Sequence, residues 1–187
     1  MIGTIFSIPI LSKTLNLNLD EITKYCLEFK QNTPTVNISN IGGWQSSFLE
    51  GEHKHLNELF KCIMSAAEEY REVIQYKHPL KIKSLWININ NYKDYNTEHA
   101  HQNTVASGVF YVQAKSGNLI FCNPAGNVME YDWSRSNINK YNTNNCSNIE
   151  SIPENNKLLI FPGWLVHKVG PNLYKEDRIS ISFNLCR

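Results

Sequence analysis

The chain has 187 residues and a formal net charge of +1, and 42% of its residues are hydrophobic. That length and apolar content predict one domain with a full hydrophobic core. The balanced charge, without a run of Lys or Arg, gives no electrostatic footprint for nucleic acid or for an anionic membrane surface. We therefore expect no membrane partner, and nucleic acid is not indicated as a partner.

The cysteines and the first residues indicate a reducing compartment. Five cysteines occur, an odd number without a CxxC pair, so neither a disulfide scaffold nor a zinc–thiolate site is expected. Residues 1–10 are apolar, but they lack a preceding basic segment and are too short to span a membrane. We interpret them as a first strand and expect a cytoplasmic protein.

Two helices are predicted in the N-terminal part of the chain. The first begins at Asn18 or Asp20, carries an apolar stripe at helical spacing and ends at Thr33-Pro34. The second is a long amphipathic helix over about 55–74, which is expected to pack on a sheet.

The segment between the two helices is predicted to be extended and to contain a tight turn. Val36 and Ile38 alternate with polar residues, as in a short strand. The paired glycines Gly42-Gly43 indicate a turn or a close backbone approach, with Trp44 inserted into the core.

From Lys81 onward the hydrophobic period changes to two, which predicts strands. In the first strand Ile82, Ser84, Trp86, Asn88 and Asn90 share one face. The predicted strands cover residues 81–90, 105–112, 118–121, 157–161, 164–169 and 178–185. Helices followed by a run of short strands are typical of an α+β fold in which helices back an antiparallel sandwich or barrel.

Three histidines form the candidate metal site. His99-Ala100-His101 places two imidazoles at positions i and i+2, which point the same way in a strand. His167, in an otherwise apolar strand, would add a third imidazole from elsewhere in the fold. Three neutral imidazoles suit a borderline first-row ion such as Fe(II).

Each of these histidines also has a simpler interpretation. Taken alone, His99 and His101 are equally typical of a polar strand end, and His167 of a core histidine bonded to the backbone. His53-Lys54-His55 repeats the HxH spacing, but it lies at the start of the long helix, where positions i and i+2 point apart. We therefore expect that pair to be solvated surface.

Arg178-Ile179-Ser180 repeats the i, i+2 geometry in the last predicted strand. A guanidinium among Ile179, Ile181 and Phe183 needs an anionic partner, because burying an unpaired charge is costly. Its planar fork fits a carboxylate in bidentate fashion. No acid in the chain is an obvious partner, so a small dicarboxylate ligand is a candidate.

These motifs together resemble a known family. His167 followed by Arg178-x-Ser180 is similar to the C-terminal signature of 2-oxoglutarate- and Fe(II)-dependent oxygenases. More closely, the chain resembles a group of small oxygenases of this class from bacteria and marine phages. The resemblance lies in residues 40–46, 99–101, 107–112, 117–124, 159–162, 164–165, 167 and 178–184.

The resemblance implies a double-stranded β-helix, or jelly roll, with the N-terminal helices packed outside it. One domain would then cover residues 1–187, with helical support over 1–80 and the jelly-roll core over 81–187. The location would be the cytoplasm of a bacterium or of a phage-infected host cell.

The resemblance also implies the ligands of each cofactor. Fe(II) would be bound by His99, His101 and His167, and the far carboxylate of 2-oxoglutarate by Arg178 and Ser180. Asn88, Asn90 or Tyr111 would contact the near carboxylate or a ligand imidazole. Trp86, Trp164 and Phe121 are predicted walls of the pocket.

One position departs from the pattern of the wider superfamily, whose first motif is HxD or HxE. His101 stands here in place of that carboxylate. The site therefore has three histidines, which we favour, or Glu98 or Asp94 supplies a carboxylate, or two histidines leave an open position.

The predicted activity is a dioxygenase that hydroxylates an unknown small-molecule or peptide substrate with dioxygen, releasing succinate and carbon dioxide. One alternative is a three-histidine cupin-type metalloenzyme that does not use 2-oxoglutarate. Another is a non-catalytic jelly-roll binding module. A homodimer through the N-terminal helices and a substrate-selecting lid in the Asn-rich segment 134–150 are further predictions.

Overall fold

The computed structural model describes residues 5–51, 53–133 and 135–187. The helices of this part of the chain are α1 (Leu19–Asn32), α2 (Asn57–Val73) and α3 (Gly126–Asp132), with 3-10 turns at Lys54–Leu56 and Arg135–Asn137. Within these ranges no helix is both long and apolar enough to cross a bilayer.

Eleven strands of the described residues form two antiparallel sheets. The larger sheet contains β1 (Leu11–Thr14), β3 (Trp44–Gln45), β4 (Lys81–Asn90), β6 (Ala106–Gln113), β9 (Lys157–Pro162) and β11 (Arg178–Cys186). The smaller sheet contains β2 (Asn40–Ile41), β5 (Tyr95–His99), β7 (Leu119–Cys122), β8 (Asn148–Ser151) and β10 (His167–Val169).

The chain crosses repeatedly between the two sheets. Their strand orders are β1-β9-β6-β11-β4-β3 and β2-β5-β10-β7-β8. From β4 onward, successive strands change sheet at every step except between β7 and β8. This winding, with α1 and α2 packed on the larger sheet, confirms the predicted α+β architecture and its jelly-roll core.

The main hydrophobic core lies between the helices and one face of the larger sheet. Leu85, Ile87 and Ile89 of β4 point into it and pack with Leu59 and Ile63 of α2, all of them buried. Each such side chain contributes about 1.5–3 kcal/mol by leaving water. The alternation of β4 therefore turns its other face, with Trp86 and Asn88, toward the smaller sheet.

A bulge corrects one face assignment. Asn184 of β11 pairs with Ser84, but the next residue, Leu185, pairs with Ile82, so β4 has one extra residue there. The bulge reverses the alternation. Ile82 consequently packs against the core beneath the helices and not beside Trp86 as predicted.

The strongly periodic elements lie within a few residues of their predicted positions. Asn18 is the N-cap of α1 and accepts a hydrogen bond from the Glu21 backbone at 3.4 Å, and the helix ends before Thr33. The predicted strand at 164–169 is shorter, because a turn occupies its first part and only His167–Val169 is β10.

Two short strands were predicted wrongly at the N-terminal side. Residues 5–10 form neither helix nor strand, β1 begins at Leu11, and residues 1–4 lie outside the described part. Val36 makes one backbone hydrogen bond, to the Gln45 carbonyl at 2.9 Å, without a strand, and Ile38 is exposed.

Gly108 in β6 is required by packing. A Cβ atom there would overlap the ring of Phe183 and lie 2.5 Å from the carbonyl oxygen of Leu159. We expect Gly108→Ala to lower the free energy of unfolding by about 2–4 kcal/mol. Chemical denaturation measures this, with Gly170→Ala as the control, because a Cβ at Gly170 meets nothing nearer than 3.7 Å. Equal stability of the two variants would contradict the expectation.

Candidate metal and co-substrate site

The three predicted histidines converge between the sheets. His99 is the last residue of β5, His167 is the first of β10, and the two are direct register partners. His101 follows two residues after β5 ends. Nitrogen atoms of the three rings all lie within 4.8 Å of one another, so one metal ion can contact all three.

The HxH pair lies at the end of a strand and not within it, since β5 ends at His99 and the turn follows only at residues 102–103. The His101 backbone N–H donates to the Gly163 carbonyl at 2.9 Å, which ties this segment to the loop that leads to β10. No turn separates the two histidines, and their ring centroids lie 5.1 Å apart.

Backbone hydrogen bonds orient two of the rings. Nδ1 of His99 lies 2.7 Å from the Thr97 carbonyl, and Nδ1 of His167 lies 2.8 Å from the Leu165 carbonyl. A carbonyl oxygen only accepts, so each Nδ1 carries the proton and each neutral ring keeps the Nε2 lone pair. This tautomer is the one that ligates a metal through Nε2.

The surroundings keep the three rings uncharged at neutral pH. Burial lowers the pKa of His99, although its bond to Thr97 acts against this. Burial and the neighbouring His99 lower the pKa of His101 to about 4. Burial, His99 and His101 together lower the pKa of His167 to about 3. Neutral imidazoles are ready to bind a cation without first losing a proton.

Both candidate carboxylates lie outside this cluster. Glu98 is exposed and pairs with Lys168 at 3.3 Å. Asp94 accepts a hydrogen bond from the Asn91 backbone at 2.8 Å, which closes a turn. Among the described residues, the only group of metal-type ligands is the three histidines. The geometry therefore favours the three-histidine alternative.

The second HxH pair is only partly on the surface. His55 is exposed, with Nδ1 2.7 Å from Glu21, as predicted. His53 is half-buried, and its Nδ1 lies 2.6 Å from the Tyr25 hydroxyl. The expectation of two solvated histidines is thus wrong for His53, which packs against α1.

Arg178 is a buried cation without a carboxylate partner. Its side chain is 2% exposed, and it donates to the Gly117 carbonyl at 3.1 Å and to the Ser180 hydroxyl at 3.0 Å. No described acid forms an ion pair with it. Burial lowers the pKa of the guanidinium, which indicates that the charge is held at a cost.

The immediate neighbours of Arg178 fit closely around it. Gly117 has φ of +76°, and a Cβ there would lie 2.7 Å from the Arg178 side chain. The Tyr111 ring lies 5.3 Å from the guanidinium carbon. The Tyr111 hydroxyl is buried and makes no hydrogen bond of standard geometry to the described residues. Burial raises the pKa of Tyr111, while the charge of Arg178 and the side-chain interaction with its guanidinium act against this, so the phenol is neutral and can donate its proton.

A cavity of about 200 Å³ connects the histidines to Arg178. All the predicted cofactor-binding residues, Arg178, Ser180, Asn88 and Tyr111, line it. Asn88 donates to the Ser182 hydroxyl at 3.0 Å. The other candidate, Asn90, does not line it and instead donates to Asn96 at 3.4 Å.

The walls were predicted only in part. Trp86 lines the cavity as predicted, but Trp164 is 55% exposed and does not. Phe121 packs against Phe161, and it is Phe161 that lines the cavity where Phe121 was predicted. Gln45, to which the resemblance of residues 40–46 gave no role, also lines the cavity from a two-residue strand after the glycine turn. Such a short strand carries no periodicity that could have identified it.

The sequence matches one family model. Residues 84–184, more than half of the chain, match the family described as "putative 2OG-Fe(II) oxygenase". No curated protein matches the chain.

Solved structures share the fold over almost the whole chain. A prolyl-4-hydroxylase from Pseudomonas putida has a TM-score of 0.63 at 11% identity, covering 97% of this chain and 94% of that one. HygX from Streptomyces hygroscopicus, solved with nickel and 2-oxoglutarate bound, has a TM-score of 0.66 at 11% identity, covering 96% and 83%.

A third structure is a viral one. The collagen prolyl hydroxylase vCPH from Paramecium Bursaria Chlorella virus-1, in complex with 2-oxoglutarate, has a TM-score of 0.62 at 11% identity, covering 94% of both chains. At these identities the likeness shows the fold alone.

Proposed function

Because this chain belongs to the 2OG-Fe(II) oxygenase family, we propose that it hydroxylates its substrate with Fe(II), 2-oxoglutarate and dioxygen. In the balanced reaction, one oxygen atom enters the substrate C–H bond and the other enters succinate, while carbon dioxide leaves 2-oxoglutarate. The proposal depends mainly on one observation. Arg178 is buried without a carboxylate partner, and it lines the same cavity as three neutral histidines whose ring nitrogens lie close together.

His99, His101 and His167 are the proposed iron ligands. Their chemistry fits Fe(II), because all three rings are neutral. In His99 and His167 the hydrogen bond from Nδ1 to a backbone carbonyl also fixes the tautomer that leaves the Nε2 lone pair free. Imidazole is a common ligand for this ion. Iron bound there supplies the oxidising chemistry, and the protein supplies position and surroundings.

Arg178 and Ser180 are the proposed anchors for the far carboxylate of 2-oxoglutarate. The guanidinium still has N–H groups to offer, since a guanidinium carries about five of them and one donates to Gly117 and one to Ser180. The unpaired Tyr111 hydroxyl can donate to the same carboxylate. Two charge-assisted bonds and one phenol bond would hold the co-substrate in one orientation.

Asn88 is the proposed contact for the other end of the co-substrate. It lies opposite Ser180 in the register of β4 and β11 and faces the cavity. Phe161 packs against the His167 ring, and Leu119 lines the same cavity, so these apolar side chains would keep water from the reacting groups. The apolar surroundings also strengthen the electrostatic contacts of Arg178.

The two parts of the predicted domain share one core, which supports a single domain over 1–187. Ile22 of α1 and Leu59 of α2 pack in the same buried cluster as Ile181 of β11.

The predicted homodimer through the N-terminal helices stays a prediction. So does the lid, because no described residue of 135–150 lines the cavity.

The proposal is tested by loading purified protein with Fe(II) without oxygen, titrating 2-oxoglutarate by calorimetry, and assaying succinate after oxygen is admitted. We expect one equivalent of 2-oxoglutarate to bind only when iron is present, and succinate to form. Iron binding without 2-oxoglutarate binding would favour a cupin-type metalloenzyme. Binding of neither would favour a non-catalytic module.

A further inference from the structure

We propose that Gln45 selects the substrate by pairing its carboxamide with an uncharged amide group, such as a peptide bond, beside an apolar side chain. This inference rests on the proposed function, because it concerns the substrate of the same site. It assigns a role to a residue that lies outside the family match, which begins at residue 84, and to which the resemblance of residues 40–46 gave no role.

Gln45 is buried, lines the cavity and keeps its carboxamide free for a ligand. The residue is 3% exposed. Its backbone N–H donates to Thr35 and its backbone carbonyl accepts from Val36. Its side chain makes no hydrogen bond to the described residues, and unlike the enclosed Tyr111 hydroxyl it is not sealed from the cavity. A ligand in the cavity can therefore pair with the carboxamide.

Gln45 belongs to one row of polar side chains across the larger sheet. Gln45 pairs with Asn88, Asn88 pairs with Ser180, and Ser180 pairs with Tyr111, and all four line the cavity. Gln45 and Ser180 are two strands apart, which is roughly 10 Å. Gln45 therefore lies on the other side of Asn88 from the proposed carboxylate anchor, Arg178 and Ser180. At that position the substrate, and not 2-oxoglutarate, would contact the larger sheet.

The cavity mouth next to Gln45 is apolar. Ile38 and Phe48 line it and are 71% and 53% exposed. The Phe48 ring lies 5.9 Å from Trp86, whose ring lies 5.7 Å from His101. This row of rings leads from the surface to a proposed iron ligand, so an apolar side chain resting on it would bring its C–H bonds to the metal.

The side chains that line the cavity favour an uncharged group beside Gln45. Arg178 is the only formally charged side chain among those lining the cavity, and the proposed function assigns it to 2-oxoglutarate. A carboxamide offers one acceptor and an NH₂ donor. An amide offers the complementary pair, whereas a carboxylate can only accept and an ammonium can only donate, so each would pair with one half of the carboxamide. The chain carries no basic run that would favour a nucleic acid instead.

The test uses the Fe(II)- and 2-oxoglutarate-loaded protein without oxygen. The probes are N-acetyl amino acid N-methylamides with apolar side chains, including proline, and the matching N-acetyl acids and free nucleosides. Binding is followed by ligand-detected NMR. Gln45→Leu and the isosteric Gln45→Glu are compared with Gln113→Leu, since Gln113 is in the same sheet but outside the cavity.

We expect at least one of the neutral amides to bind, more tightly than its acid, and to lose about tenfold in affinity or more in both Gln45 variants. The affinity for 2-oxoglutarate should stay within about twofold of wild type, which also shows that the variants fold. Gln113→Leu should bind the amide as wild type does.

The inference would be overturned if the wild-type protein and both Gln45 variants bound the amide probes with equal affinity. It would also be overturned if only nucleosides bound, or if no amide bound at all. In each of these the calorimetric binding of 2-oxoglutarate persists, so the proposed function survives. Loss of 2-oxoglutarate binding in the wild-type protein would instead overturn both.

Discussion

Replacing His167 with alanine is expected to abolish iron binding and, with it, succinate formation. His167 is the buried member of the cluster, with its ring centroid 4.5 Å from that of His99 and 5.2 Å from that of His101. Two half-buried imidazoles that remain cannot hold the ion in the same geometry. We expect Fe(II) affinity to fall by about 100-fold or more, as measured by metal analysis after anaerobic desalting.

The chain provides a matched control in His55→Ala. His55 belongs to the other HxH motif, but it is exposed and pairs with Glu21. Its removal should leave iron content and 2-oxoglutarate binding unchanged. Stoichiometric iron in the His167→Ala protein, with wild-type affinity, would show that the ion is bound elsewhere and would remove the basis of the assignment.

The elements that could be predicted are those whose burial repeats along the chain. The boundaries of β4 were predicted correctly because one face is apolar from Leu85 to Ile89. In contrast β5, with the sequence YNTEH, has only one buried residue, Asn96. Its pairing with β10 stabilises it, and pairing between distant segments leaves no trace in the local hydrophobic pattern.

The candidate site was predicted from chemistry that single residues carry. Arg178 was identified because a guanidinium in an apolar strand needs an anion, and its burial agrees with that argument. His99 and His101 lie side by side with no turn between them, although β5 itself ends at His99. Gln45 belongs to the resembling segment 40–46, but no role could be assigned to it, because its position depends on its register with Asn88.

The Arg178→Met variant is expected to weaken the binding of 2-oxoglutarate without destabilising the ligand-free protein. Affinity for 2-oxoglutarate should fall by about 100-fold or more, because the charge-assisted bonds to its far carboxylate are lost. Iron content should stay the same, since Arg178 is not a ligand. The stability of the ligand-free protein should be unchanged or higher, because the partners of the buried guanidinium are neutral groups, namely the Gly117 carbonyl, the Ser180 hydroxyl and the Tyr111 ring, and a similar apolar side chain avoids the cost of burying the charge.

Arg178→Lys separates charge from shape in the same measurement. A lysine keeps the positive charge but cannot make the bidentate contact, so its affinity for 2-oxoglutarate should lie between those of wild type and Arg178→Met. Calorimetry gives the affinities, and thermal unfolding with and without 2-oxoglutarate gives the stabilities. If Arg178→Met instead unfolded far more easily without ligand, or lost iron together with 2-oxoglutarate, Arg178 would be a structural residue. If Arg178 is instead a ligand-binding residue, the Arg178→Met protein should unfold at the wild-type temperature or above it without ligand. It should then lose only the extra stability that 2-oxoglutarate gives to the wild-type protein.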